Sequence, residues 1–284
     1  MVTNEPARPL SLVPEPRAGR PKLSVRGVTK AFPAVRGGSS LALEGISFDV
    51  APGEFVCLIG PSGCGKSTVL NILAGLVAPD DGDVLLDGSP VVQPGPDRAL
   101  LFQDPALFPW MSVRGNVEFA LRMVGVGPEE RRARASEWLA KVHLSRFADA
   151  QPHELSGGMK QRAALVRALA SRPSVLLADE PFGALDAQAR EILQQEVQRV
   201  WAETGITLVF VTHNVREAAL LADRVLLMSA SPGTLLEEYR IFAPRPRRLE
   251  DALVSRVVSD IHDQLDEEVK KVVARETGDP EDLA

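Results

Sequence analysis

Cysteine is scarce in this chain: Cys57 and Cys64 are the only two among 284 residues. They flank a glycine-rich turn at a spacing that forms neither a disulfide framework nor a zinc site, which suits a reducing compartment. Long apolar runs are missing as well. No segment approaches the roughly 18 consecutive apolar residues of a membrane-spanning helix, so any tie to a membrane must run through a partner. A basic balance is also lacking. Lys and Arg number 32 against 38 Asp and Glu, a net charge of −6, which argues against a general nucleic-acid binder. There is no internal repeat. Residues 1–21 contain Pro6, Pro9, Pro14, Pro16 and Pro21 without an apolar signal core, and read as a disordered leader.

What is there suits one large α/β unit with a lobe and a tail. Hydrophobic residues at 45% and charged residues at 25% are ordinary globular values. That suffices for a core without disulfides or metals. The alternating runs Leu23–Arg26 and Ile46–Val50 read as half-buried strands. Phe55–Ile59 is continuously apolar, the pattern of a parallel strand covered on both faces. Further strands are expected at Val84–Leu86, Ala99–Phe102, Val175–Ala178, Leu208–Val211 and Val225–Met228. Helices are expected over Glu129–Val142, Gly157–Ala170 and Asp186–Ala202, with a helical lobe at about 104–172. Residues 242–284 read as a basic linker, Pro244 to Arg248, and a helical tail. In that tail Leu249, Leu253, Val257, Ile261, Leu265 and Val269 recur every four residues. Such a stripe drifts by about 40° per step around a helix, and is expected to pack on its own domain or, alternatively, on a partner.

Gly60-Pro61-Ser62-Gly63-Cys64-Gly65-Lys66-Ser67 has the spacing Gly, four residues, Gly-Lys-Ser. It follows the buried strand and precedes an apolar helix from Thr68 to Ala74, the context in which this pattern binds phosphate. Backbone N–H groups and the helix N-terminus would cradle the anion. Lys66 is expected at the β- and γ-phosphates of ATP and the Ser67 hydroxyl on Mg²⁺. The strand Val175–Ala178 runs into Asp179 and Glu180. Asp179 is expected to hold Mg²⁺, and Glu180 to poise water against the γ-phosphate as a base. Cys64, at a helix N-terminus beside Lys66, is expected to be thiolate-like, reactive to alkylation and protected by MgATP.

Many enzyme classes use such a loop, and Leu155-Ser156-Gly157-Gly158-Met159-Lys160-Gln161-Arg162 chooses among them. This run resembles the signature motif of ABC ATPases, with Met159 where glutamine is commoner. Ser156 suits a helix N-cap, and the two glycines admit a phosphate near the helix start. The resemblance covers Leu23 to Tyr239. It implies a RecA-like P-loop NTPase core with an antiparallel β edge and an inserted helical lobe. It also implies a head-to-tail dimer with a second copy or a homologous ATPase subunit, in which the signature binds the partner's nucleotide.

Other residues take their roles from that resemblance. Phe32 would stack on adenine, although a core phenylalanine is the rival reading. Gln103 would reach Mg²⁺ and the attacking water. Asp186, in Ala184-Leu185-Asp186, would touch the opposite subunit or simply cap a helix. His213 would contact the γ-phosphate. Phe108, Pro109 and Trp110 would form either a patch that receives a permease helix or the core of the lobe. Pro109-Trp110 and Met159 resemble the importer branch for nitrate, taurine and aliphatic sulfonates. The implied protein hydrolyses ATP at the inner face of the cell membrane, bound to an integral permease and served indirectly by a solute-binding protein. An exporter subunit and a soluble non-transport ABC ATPase are the alternatives.

Overall fold

The computed structural model describes residues 19–33 and 38–277, with side chains described up to residue 273. The expected leader lies outside the described residues up to position 18. Strands β1 (Leu23–Pro33), β2 (Ser39–Val50), β4 (Asp81–Leu86) and β5 (Ser89–Pro90) form an antiparallel sheet in the order β2-β1-β4-β5. The second sheet contains β3 (Phe55–Ile59), β6 (Arg98–Leu101), β7 (Val175–Asp179), β8 (Thr207–Val211), β9 (Arg224–Met228) and β10 (Leu235–Arg240). Its order is β10-β9-β3-β8-β7-β6. The strands run parallel except for the antiparallel edge strand β10.

All five residues of β3 are fully buried, and alternate side chains enter different cores. Val56 and Leu58 face α1 (Lys66–Ala74) and the antiparallel sheet, meeting Leu70, Leu73 and Leu43. Phe55, Cys57 and Ile59 face α4 (Gly157–Ala170), α5 (Ala187–Thr204), α6 (Val215–Leu221) and α7 (Ala252–Thr277). The lobe joins α2 (Val113–Met123) and α3 (Pro128–Lys141) to the outer face of α4. Its core contains Val113, Val117, Leu121, Leu139, Leu155 and Val166.

The basic run after β10 is built into the core. Arg245 lies over the Trp201 ring at 4.2 Å and pairs with Asp223 at 2.8 Å. Arg247 has a side chain only 2% exposed and donates to the carbonyls of Ala243, Ala219, Ala222 and Ile241. Burial, with the Arg245 charge behind it, lowers the Arg247 pKa to about 10. Helix α7 then docks through Val254 and Ile261, both fully buried, flanked by Val257, Val258 and Leu265. The four-residue stripe is not the packed face throughout, since Leu253 and Val269 are exposed. A helix of 3.6 residues per turn keeps a face by mixing steps of three and four.

Candidate functional site

The site grows from the carboxyl end of the parallel strands, where open α/β sheets bind their ligands. Strand β3 ends at Ile59, and the chain turns through residues 60–65 into α1. Gly65 opens that helix at φ 95°, a left-handed conformation that glycine adopts without steric cost. A Cβ there would meet Leu43 Cδ2 at 2.5 Å and the Ala42 carbonyl at 3.0 Å. Lys66 is 6% exposed. Its Nζ lies at the centre of the turn, donating to the carbonyls of Gly60 and Pro61, each at 2.8 Å.

The loop is braced from a direction the sequence did not announce. Gly233, in the turn after β9, donates its N–H to Ala42 at 2.9 Å and accepts from Glu44 at 3.0 Å. A Cβ at Gly233 would fall 2.0 Å from the Cys64 carbonyl. Only the Ser231-Pro232-Gly233 turn composition hinted at so close an approach.

Cys64 departs from expectation. It is fully buried and its Sγ accepts from Lys66 Nζ at 3.6 Å. Burial pushes its thiol pKa up, outweighing the pull of the Lys66 charge. Desolvation disfavours a thiolate in such a place, whatever the helix terminus offers. Cys57 is buried too and held well above the usual thiol range, chiefly by desolvation. We expect neither thiol of the native chain to react with an aromatic disulfide reagent over minutes, and both to react once urea unfolds it. Fast reaction of one native thiol would overturn this placement of Cys64.

The carboxylates complete the site. Asp179 ends β7 and hydrogen-bonds the Ser67 side chain. Burial raises its pKa, the Ser67 bond lowers it, and the neighbouring Glu180 charge raises it again. Glu180 holds φ at 41°, and its N–H donates to the Val211 carbonyl at 2.9 Å. Its Oε2 lies 2.9 Å from His213 Nδ1. Gln103 reaches the same turn, since its Nε2 lies 3.1 Å from where a Cβ on Gly183 would stand. The structure thus brings Lys66, Ser67, Asp179, Glu180, Gln103 and His213 together. Ser67, Asp179 and Gln103 supply hydroxyl, carboxylate and amide oxygens, hard donors of the kind Mg²⁺ takes. Among the described residues there is no cluster of three His, Cys, Asp or Glu side chains that could hold a metal by itself.

Other predicted residues lie apart. Phe32, 38% exposed, is the last residue but one of β1 and pairs with Ser40, a few residues along β2 from the Ala42–Leu43 brace of Gly65. Ser156 caps α4, accepting from the Met159 N–H at 3.4 Å, and is exposed with Gly157. The start of α4 lies against the start of α5, where Gly158 abuts Ala189 and Gly157 faces Leu185. Asp186 caps α5 through the Ala189 N–H at 2.9 Å. Beyond Gln103 the apolar segment divides. Phe108 is partly buried and edge-on to Phe119 at 4.8 Å, whereas Trp110 is 72% exposed.

Residues 43–183 match the family described as ABC transporter. A taurine import ATP-binding protein of Jannaschia sp. is 47% identical over 219 residues, 77% of this chain and 82% of its own length. A bicarbonate transport ATP-binding protein of Synechococcus elongatus is 44% identical over 264 residues, covering 89% of this chain and 40% of its own. A nitrate import ATP-binding protein of the same organism is 45% identical over 249 residues, 86% of this chain and 37% of its own length. Among solved structures, the dimeric ATP-binding cassette MJ0796, in a post-hydrolysis state bound to ADP and Pi, matches with a TM-score of 0.70. It is 34% identical and covers 78% of this chain and 100% of its own.

Proposed function

Because this chain belongs to the family of ATP-hydrolysing ABC transporter subunits, we propose that it energises import of a small anion or zwitterion through a membrane permease. Nitrate, bicarbonate, taurine and related sulfonates are the solutes to try, from the names of its relatives. Among the described residues no helix is long and apolar enough to cross a membrane, so the permease supplies the pathway. A solute-binding protein delivers to that permease from the far side, and this subunit works at the inner face.

Lys66 and the loop from Gly60 to Thr68 hold the phosphates of ATP, and Phe32 stacks on the adenine. Ser67, Asp179 and Gln103 would hold Mg²⁺, which when bound neutralises phosphate charge. Glu180 orients the attacking water and accepts its proton, held in aim by His213. His213, 65% exposed on its side chain, is free to reach the γ-phosphate. Ser156 and its two glycines bind the γ-phosphate of a nucleotide carried by a second copy or a homologous subunit. Asp186 lies at that seam. Closure and parting of the two subunits are passed to the permease through Gln103 and the exposed Trp110.

One observation carries this reading. Ser156 and Gly157 are exposed at a helix start that lies against the start of α5, which supports its use by a nucleotide carried on a second chain. The test is reconstitution of this subunit and its permease in vesicles, with these solutes offered in turn. ATP-driven uptake of one of them is expected, with ATPase activity rising cooperatively with protein concentration. Full activity from a strict monomer, indifferent to any permease, would sink the proposal.

A further inference from the structure

Two buried polar residues beside His213 have no task in that reading. Thr212 is 2% exposed and Glu217 6%. The Thr212 hydroxyl donates to Glu217 Oε2 at 2.7 Å and accepts the Asn214 N–H at 3.0 Å. One hydroxyl therefore brackets His213 from both sides. With the carboxylate fixing its proton, its lone pair is left facing Asn214. Asn214 in turn caps α6, accepting from the N–H of Arg216 at 3.0 Å and of Glu217 at 3.4 Å.

The other carboxylate oxygen faces α5. Glu217 Oε1 accepts from Gln194 Nε2 at 3.3 Å and pairs with Arg190 Nε at 3.7 Å. Arg190 also donates through Nη2 to the Leu185 carbonyl at 3.0 Å. A chain of polar contacts, its Arg190–Glu217 link an ion pair at 3.7 Å, thus runs from the segment Ala184–Asp186 to the backbone that carries His213. Burial raises the Glu217 pKa, and the Thr212 bond and the Arg190 charge draw it back. Burying a carboxylate is costly unless it is paired and hydrogen-bonded. The bonds that Glu217 makes are what its burial achieves.

We propose that Glu217 is a positioning residue for His213, acting through the Thr212 hydroxyl, and that Arg190 ties the same carboxylate to the Leu185 backbone. The inference rests on His213 serving hydrolysis as described above. Glu217 itself touches neither nucleotide nor water in that scheme. Its effect is on where the imidazole stands, and a misplacement of about 1 Å can cost a hundredfold in rate.

Thr212→Val keeps the shape of the side chain and removes the hydroxyl; Thr212→Ser keeps the hydroxyl. In the full-length chain, Thr212→Val and Glu217→Ala are expected to lower kcat by about ten- to hundredfold. KM for ATP and the affinity for a fluorescent ATP analogue should stay within about twofold, because only the reacting geometry is disturbed. Thr212→Ser is expected to restore most of kcat. His213→Ala, run alongside, separates the two levels of the argument. If that variant hydrolyses ATP normally, the reading of His213 fails. If it is inactive while Thr212→Val and Glu217→Ala keep the wild-type kcat, the positioning role fails alone. Equal losses of kcat and nucleotide affinity, or no rescue by Thr212→Ser, would also overturn it, because a general packing defect behaves that way.

Discussion

Replacing Glu180 with glutamine is expected to slow ATP hydrolysis by about 10²- to 10⁴-fold, the usual contribution of a positioned general base. The amide matches the carboxylate in length but cannot take a proton from water. Binding of MgATP should survive, because the phosphate loop and Lys66 are untouched. The nucleotide-bound dimer should then persist, and size-exclusion chromatography with MgATP should show it while the wild type dissociates. Two features of the fold single out this carboxylate. It occupies a left-handed backbone conformation at φ 41°, and holding a residue other than glycine there costs on the order of 1–3 kcal/mol. Its Oε2 also meets His213 Nδ1 at 2.9 Å. Strain retained beside a hydrogen-bonded pair is reasonable where side-chain aim matters. Wild-type turnover in this variant would remove Glu180 from its role, and loss of MgATP binding would make the residue structural.

The second large effect is on stability. Arg247→Ala should destabilise the chain by about 2–5 kcal/mol, the range for breaking a buried, hydrogen-bonded charge network. Four carbonyls, from Ala219, Ala222, Ile241 and Ala243, would lose their donor. Asp223, 3.9 Å from the guanidinium, would keep only Arg245 of this pair. Arg247→Lys should recover little, because one ammonium cannot span the acceptors that a planar guanidinium reaches with three nitrogens. Urea unfolding followed by circular dichroism measures the change. A midpoint indistinguishable from wild type would mean that the tail contributes nothing to folding.

Much of the architecture was legible because its signals were local. The apolar run Phe55–Ile59 and the loop that follows specify strand, turn and helix within a few residues, and α4 begins and ends where Ser156 and the apolar periodicity put it. Less legible were elements whose reasons lie elsewhere in the fold. Helix α2 contains Gly115 and Asn116, poor helix formers. Yet Asn116 is fully buried, with its amide bonded to the carbonyls of Phe108, Met111 and Ser112 and to the Phe108 N–H. A residue that looks like a loop signal is there the fastener of a loop onto a helix. Helix α6 spans two turns, too short for periodicity to declare, and so Glu217 passed unnoticed four positions beyond His213. Strand β10 carries Glu237 and Glu238 in sequence, which breaks alternation but suits an edge open to solvent.

The site divides in the same way. Lys66, Ser67, Asp179 and Glu180 were readable from spacing and strand context, whereas Gln103 and His213 needed the family resemblance to be noticed. Cys64 was misjudged because the sequence announces a helix terminus and a neighbouring lysine but not the complete burial of the side chain. Electrostatics argued from neighbours in sequence omitted the desolvation imposed by neighbours in space.

The strand beneath the phosphate loop raises a separate matter of specification. Where one side of a strand is wet, a slip of one residue is punished by polarity. No such penalty protects β3, since both of its sides are apolar and dry. Its alignment is written in volume instead: Phe55 fits between Phe210 and Trp201, a space that Val56 would leave half empty. Trading the sizes of neighbouring residues there, with hydrophobicity unchanged, would blur the placement of everything that hangs from Gly60.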